Sequence, residues 1–182
     1  VAFMACGCTK PNGAGQNNPE PQLPPAERFE VFQLLNPNDI PYRIPALAVT
    51  KEGTLVAVAD YRHSGTDIGV TDKGRIDLHY RLSYDNGNTW NHEAFVIDHM
   101  ESVRLHEPIL WISPDGVLHH FWSQSYEWYD GRAGVWTMSC AEPDAEKIVW
   151  SAPRRICDGV MACPPIEKRK NEWLYPVSVW KH

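Results

Sequence analysis

Tyr42-Arg43-Ile44-Pro45-Ala46-Leu47-Ala48-Val49-Thr50-Lys51-Glu52-Gly53-Thr54-Leu55-Val56-Ala57-Val58-Ala59-Asp60 enters on an X-Pro step, runs through an apolar stretch, turns at Lys51-Glu52-Gly53 and returns through a second apolar stretch. Short apolar runs of this length, rich in Val, Ile and Ala and punctuated by Pro and Gly, read as a β-hairpin. The same grammar recurs. Segments 42–97 and 106–157 both go from X-Pro into an apolar strand, a tight turn (51–53; Pro114-Asp115-Gly116), a second apolar strand and a long polar loop. Each continues with a third strand and a turn ending at a Trp, Trp90 and Trp150, which stand 60 residues apart.

Four strands per unit with a period near sixty residues is the pattern of a β-propeller blade. No window of useful length shows helical periodicity, so the fold class is all-β. Strands are expected near 29–35, 44–50, 54–60, 75–84, 92–97, 108–113, 117–123, 134–140, 148–156, 164–168 and 172–180. A third unit begins near Ala162 and has two strands, giving about two and a half blades. Such a piece leaves unpaired strand edges, so the reading is that 29–182 is the N-terminal part of a propeller. The strand at 29–35 would pair with the last blade of the complete ring.

A chain of 182 residues with 43% hydrophobic content has enough apolar material for a packed core. Eight Trp and 15 Pro suit aromatic-rich strands joined by tight turns. The net charge of -6 argues against a nucleic-acid partner, and a ligand anion would have to be held by local arginines. Nothing approaches the roughly 20 apolar residues of a membrane span. Residues 1–9, with Val1-Ala2-Phe3-Met4-Ala5-Cys6-Gly7-Cys8, read as the remnant of a secretory signal with a lipobox, lipidated at Cys6 or Cys8; an arbitrary apolar end is the other reading. Residues 10–28 hold five Pro among Gly, Asn and Gln and read as a flexible tether. Together they predict an exported lipoprotein of a bacterial cell envelope, facing the periplasm or the cell surface. Cys140, Cys157 and Cys163 read as buried small hydrophobes, with a Cys157–Cys163 bridge as the alternative.

Blade geometry sorts the polar residues. The start of strand one, the end of strand two and the loop from strand two to three share one end of a four-stranded antiparallel sheet. Arg43, Arg62 and Asp67 therefore fall on one rim, as do Glu107, the loop 124–132 with Tyr126, Trp128 and Tyr129, and Met161 and Cys163. The turn Ser83-Tyr84-Asp85-Asn86-Gly87-Asn88-Thr89-Trp90 falls on the opposite rim. Asp85 can accept from the turn's own backbone, Gly87 supplies an unusual conformation and Trp90 packs between sheets, so this turn reads as structural.

Tyr42-Arg43-Ile44-Pro45, Ala59-Asp60-Tyr61-Arg62 followed by Asp67, and the Ser-x-Asp-x-Gly-x-Thr-Trp turn resemble, in that order, the motifs of the bacterial sialidases, the last matching the Asp-box (BNR) consensus. The resemblance covers about fifty residues well; the second unit follows in grammar more than in residues. It implies a six-bladed propeller when complete and a retaining exo-α-sialidase that releases terminal sialic acid from glycoconjugates without metal or cofactor. Arg43 would clamp the substrate carboxylate, a task suited to a planar, permanently charged fork. Arg62 would hold ring substituents, and Asp67 would be the general acid/base that protonates the leaving oxygen. Glu107 stands where the family tends to carry an Asp contacting the sugar, and Trp128 would wall the pocket. The nucleophilic Tyr, its Glu partner and two further arginines would come from later blades, so this piece alone is expected to be inactive.

Plainer readings stand beside these. Arg43 can bridge a neighbouring Asp, Asp67 can be an Asx-turn residue, and Asp60 reads as a structural partner of a nearby Arg. Arg75 and Asp77 read as a salt bridge between blades. His119 and His120 are adjacent on a strand, point to opposite faces and cannot jointly hold a metal. Trp122 reads as core. Two other functions fit the fold: a non-catalytic glycan-binding propeller, or a related propeller glycosidase or lyase acting on another acidic sugar.

Overall fold

The structure, a computed structural model, describes residues 2–4, 28–31, 42–63, 75–91, 95–97, 104–126 and 133–179. Every regular element in them is a strand. β1 (Ala2–Met4) pairs antiparallel with β2 (Arg28–Glu30). The strand expected at 29–35 thus pairs with residues assigned to the signal remnant. A first four-stranded antiparallel sheet follows the order β3 (Tyr42–Val49), β4 (Leu55–Arg62), β5 (Ile76–Ser83), β6 (Phe95–Ile97). A second repeats it with β7 (Arg104–Ile112), β8 (Leu118–Ser125), β9 (Gly134–Cys140) and β10 (Arg154–Cys157). The third unit is one interrupted hairpin: β11 (Val160–Met161) pairs with β14 (Val177–Ser178), and β12 (Ile166–Arg169) with β13 (Glu172–Leu174). No ring closes among the described residues.

The sheets repeat residue for residue in their first hairpins. Arg43 faces Asp60 as His106 faces Ser123, and Gly53 and Gly116 take positive φ at 95° and 89° in equivalent turns; each second member lies 63 positions after the first. The expected strand starts at 44 and 108 were late by two and four residues, because Pro45 and Pro108 interrupt strands without beginning them. Each proline, lacking an N–H for the ladder, sits in a one-residue bulge with paired strand on both sides.

β4 is buried on both faces, which explains its unbroken apolar run. Val56 and Val58 face the second sheet with Leu78, Leu105, Leu110 and Trp122, while Ala57 and Ala59 face Val31, Tyr42 and Trp90. Trp122 is fully buried, as its sequence position predicts. The other face of the second sheet packs Ile109, Phe121 and Val135 against Met161, Trp173 and Tyr175. Met161, expected on the rim, is fully buried in that layer. Cys140, Cys157 and Cys163 are free thiols. Only Cys140 is buried and Cys163 is exposed, so neither the buried reading of all three nor the bridge holds.

Candidate functional site

The register of the first sheet brings three polar residues to one end of one face. Arg43 stands directly across from Asp60, and Arg62 lies two residues further along β4, so their side chains project to the same side. Arg62 Nη2 donates to Asp60 Oδ2 at 3.4 Å, and both are buried, at 3% and 0% exposure. The plain reading of Asp60 as a partner for a nearby Arg holds. Burial pushes the Asp60 carboxyl well above its ordinary range; Arg62 and Arg43 pull it down, while Glu107 adds to the rise. Glu107 is half-buried and likewise raised, by burial against the pull of Arg62. Of the residues picked out from sequence, Arg43, Arg62 and Glu107 therefore share one electrostatic neighbourhood. Asp67 and Trp128 lie outside the described residues, as do Cys6 and Cys8.

Two backbone outliers mark the same place. Ile44 (φ 50°) and Glu107 (φ 53°) are the bulge residues of the two strand entries, and both adopt the left-handed region that side chains with a Cβ resist. A β-branched Ile there is rare, and strain of this kind costs on the order of 1–3 kcal/mol per residue. It recurs at equivalent positions in both sheets, immediately after Arg43 and His106.

Sequence reasoning missed His106 and Arg104, both buried at this end, and put Gln124, also buried here, at the start of a loop, whereas it belongs to β8. Burial, then the charges of Arg104 and Arg62, hold the His106 imidazole down to about 4, so it is neutral at physiological pH. The equivalence of His106 to Arg43 was the available signal, but it needs the bulge to be located first. Next to Tyr61, His63 and Arg75 meet at Asp77: His63 Nε2 lies 2.6 Å from Asp77 Oδ2, and Arg75 Nε donates to Asp77 Oδ1 at 3.0 Å. Arg75, one residue before β5, and Asp77, within it, thus pair locally, where the sequence reading expected a bridge between blades. No group of three or more His, Cys, Asp and Glu is arranged to hold a metal among the described residues. His119 and His120 lie on opposite faces, one against Trp173 and the other against Trp122.

The opposite end is built differently. Asp85 Oδ1 accepts from Ser83 Oγ (2.9 Å) and the Thr89 amide (2.8 Å), and its Oδ2 accepts from Thr89 Oγ1 (2.6 Å). These bonds hold the Asp85 carboxyl below its usual range, the Thr89 hydroxyl contributing most. Gly87 has φ 90° and donates its amide to Ser83 Oγ at 2.9 Å; Trp90 Nε1 donates to the Gly87 carbonyl at 3.2 Å while the ring packs near Ala57 and Ala59. The pairing of Leu55 with Ser83 and of Arg62 with Ile76 puts this turn and the arginines at opposite ends of the sheet. In the second sheet Trp150 packs edge-on to Tyr80 at 5.9 Å between the sheets, and Asp144 accepts from Thr50 of the first.

No family model matches the chain. A sialidase of Paraclostridium sordellii is 24% identical over 119 residues, covering 60% of this chain and 28% of that protein. Among solved structures, a Hadza microbial sialidase is 21% identical (TM-score 0.45; 64% of this chain, 26% of that one), and a Dyadobacter fermentans protein of unknown function is 18% identical (TM-score 0.42; 60% and 26%). The chain is thus a distant relative of sialidase-like proteins with an all-β fold, and it spans 28% of the length of the curated relative.

Proposed function

We propose that this chain forms the first blades of an exported exo-sialidase of the propeller type, and that its arginine-bearing end faces the substrate. The observation that supports this most is the meeting of Arg43, Asp60, Arg62 and Glu107 at two strained strand entries, at the end of the sheet away from the hydrogen-bonded turn. In this reading Arg43 binds the carboxylate of a terminal sialic acid. Asp60, tied to Arg62, fixes that guanidinium beside the sugar, and Glu107 contacts a ring substituent. Asp67, on the 64–74 connection between β4 and β5, donates the proton to the departing glycosidic oxygen. A Tyr–Glu pair from further blades attacks the anomeric carbon, which spares an anionic substrate a carboxylate nucleophile. Trp128 lines the aglycone side, and a lipid on Cys6 or Cys8 holds the enzyme at the envelope.

The test is hydrolysis of a fluorogenic sialoside by the full-length product of the reading frame. Arg43→Ala is expected to lower kcat/KM by the equivalent of about 2–5 kcal/mol, because a desolvated anion loses a charge-assisted partner. Asp67→Asn should spare substrates with very good leaving groups and slow natural glycosides far more. Unchanged kcat/KM for the first variant removes the clamp, and equal losses on both substrate types remove the acid. A folded wild type that binds sialosides without cleaving them would make the protein a glycan-binding propeller.

A further inference from the structure

The second sheet repeats the rim of the first with its carboxylate missing. Across from His106, where Asp60 stands in the first sheet, is Ser123; at the position of Arg62 is Ser125. Arg104 faces Ser125 from β7, so Arg104, His106, Ser123 and Ser125 occupy one face, above the apolar layer of Ile109, Phe121 and Met161. All four are at least nine-tenths buried. In the first sheet a buried guanidinium, Arg62, has an acid beside it. In the second, Ser123 stands where that acid stands, and none of the described acids pairs with Arg104. Arg104 is 6% exposed, and among the described residues its one hydrogen bond runs from Nη2 to the Tyr126 carbonyl at 3.4 Å. A guanidinium has five N–H donors, and one kept out of water without a counter-charge is costly to the fold. The neighbouring imidazole is neutral and supplies no negative charge. Ser123 Oγ accepts from the Met161 amide at 3.1 Å, which ties that hydroxyl to the third unit, and Arg104 and Ser125 stand as a cross-strand pair beyond it on the same face.

We propose that Arg104, with Ser125 beside it and His106 next along the strand, binds an oxyanion, a carboxylate or a sulfate, on a glycan that carries two acidic groups. That the first of these groups sits at Arg43 rests on the function proposed above; the oxyanion site at Arg104 does not. The planar fork matches either oxyanion through two parallel hydrogen bonds, and the ligand provides the charge that Ser123 leaves out.

Three versions of the full-length protein separate the possibilities: wild type, Arg104→Met and Ser125→Asp. Arg104→Met keeps the apolar stem and removes the charge, so Tm should hold or rise, whereas a structural arginine would lower it. Ser125→Asp supplies an internal acid and should also raise Tm. Inorganic sulfate, against chloride at equal ionic strength, should raise the Tm of wild type and add little to either variant beyond its general salt effect. Calorimetric titration with a disaccharide bearing a carboxylate on each sugar should give about tenfold tighter binding than with a glycan of one terminal acidic sugar. Arg104→Met should erase that preference and leave the affinity for the single acid unchanged. An equal sulfate shift in all three proteins, an undiminished preference in Arg104→Met, or failure of Arg104→Met to fold while Ser125→Asp gains no stability would each overturn the site. A sulfate shift confined to wild type, with neither glycan bound, keeps the oxyanion site and overturns the reading of the Arg43 end.

Discussion

The two ends of the first sheet solve opposite problems with the same strands. At the turn end, Ser83, Asp85, Gly87, Thr89 and Trp90 satisfy one another within eight residues, and the two positive-φ positions there fall on Asn86 and Gly87, the residue types that adopt that region most readily. At the other end, Asp60 and Arg62 are buried together, and the left-handed position is filled by a β-branched residue, Ile44, as it is by Glu107 at the equivalent place in the second sheet. A chain selected only for stability would not keep both arrangements. The difference separates an end that holds the fold together from one that the fold must support.

If that division is right, the arginine end should respond to substitution unlike the turn end. The largest effect is expected for Asp60→Ala, which takes the Asp60 carboxylate from the buried Arg62 charge and should cost about 3–5 kcal/mol in denaturant unfolding. Replacing the pair together, Asp60→Leu with Arg62→Met, should instead be neutral or stabilising by about 1–4 kcal/mol while ligand binding is lost. A double variant as unstable as the single one would show that the pair serves the fold. Trp90→Ala, at the half-buried turn, should cost about 2–3 kcal/mol with no change in ligand affinity for the protein that remains folded. Glu107→Gly relieves the φ strain but gains unfolded-chain entropy, so its stability should stay within about 1 kcal/mol of wild type even as binding weakens.

Acid should also tell the ends apart. The native His106 pKa, at about 4, lies below the ordinary value near 6.5. Between those limits the unfolded chain binds a proton that the folded one refuses, so stability falls as pH drops through that window, by up to about 1.4 kcal/mol per pH unit for this ring. His106→Gln should flatten that part of the profile. Asp85 has a depressed native pKa. Its contribution is complete above the ordinary carboxylate value near 4 and disappears only as pH falls below it, through the native value.

The strands of the two four-stranded sheets, the two-sheet repeat, the burial of Trp122 and the opposed faces of His119 and His120 were legible, because each follows from period-two alternation and from turn residues that announce themselves. The rim was legible only in part. Arg43 and Arg62 could be put at one end by strand polarity alone, whereas the equivalence of His106 to Arg43 depends on bulges that add one residue to one strand and leave no compositional mark beyond a proline. Glu107 was picked out for standing, before Pro108, where the sialidases tend to carry an Asp, yet the residue in register with Arg43 is its neighbour. Arg104 was overlooked because strand β7 was started at Pro108, which left it in a loop. Pairing of β2 with β1 was illegible for a different reason: three-residue strands carry too little pattern to distinguish from a tether.

The bulges also bear on how the gene can vary. Three steps of β3, from Arg43 to Ala46, span what two steps of β4 span from Asp60 to Val58, and β7 does the same from His106 to Ile109 against Ser123 to Phe121. Loss of one codon elsewhere in either strand would turn core side chains outward on one side of the lesion. Loss of codon 44 or 107 would leave a regular ladder with Arg43 still opposite Asp60, or His106 opposite Ser123. These are the places where the reading frame can lose or regain a residue while the sheet keeps its faces, so length differences between related chains should collect at the strand entries.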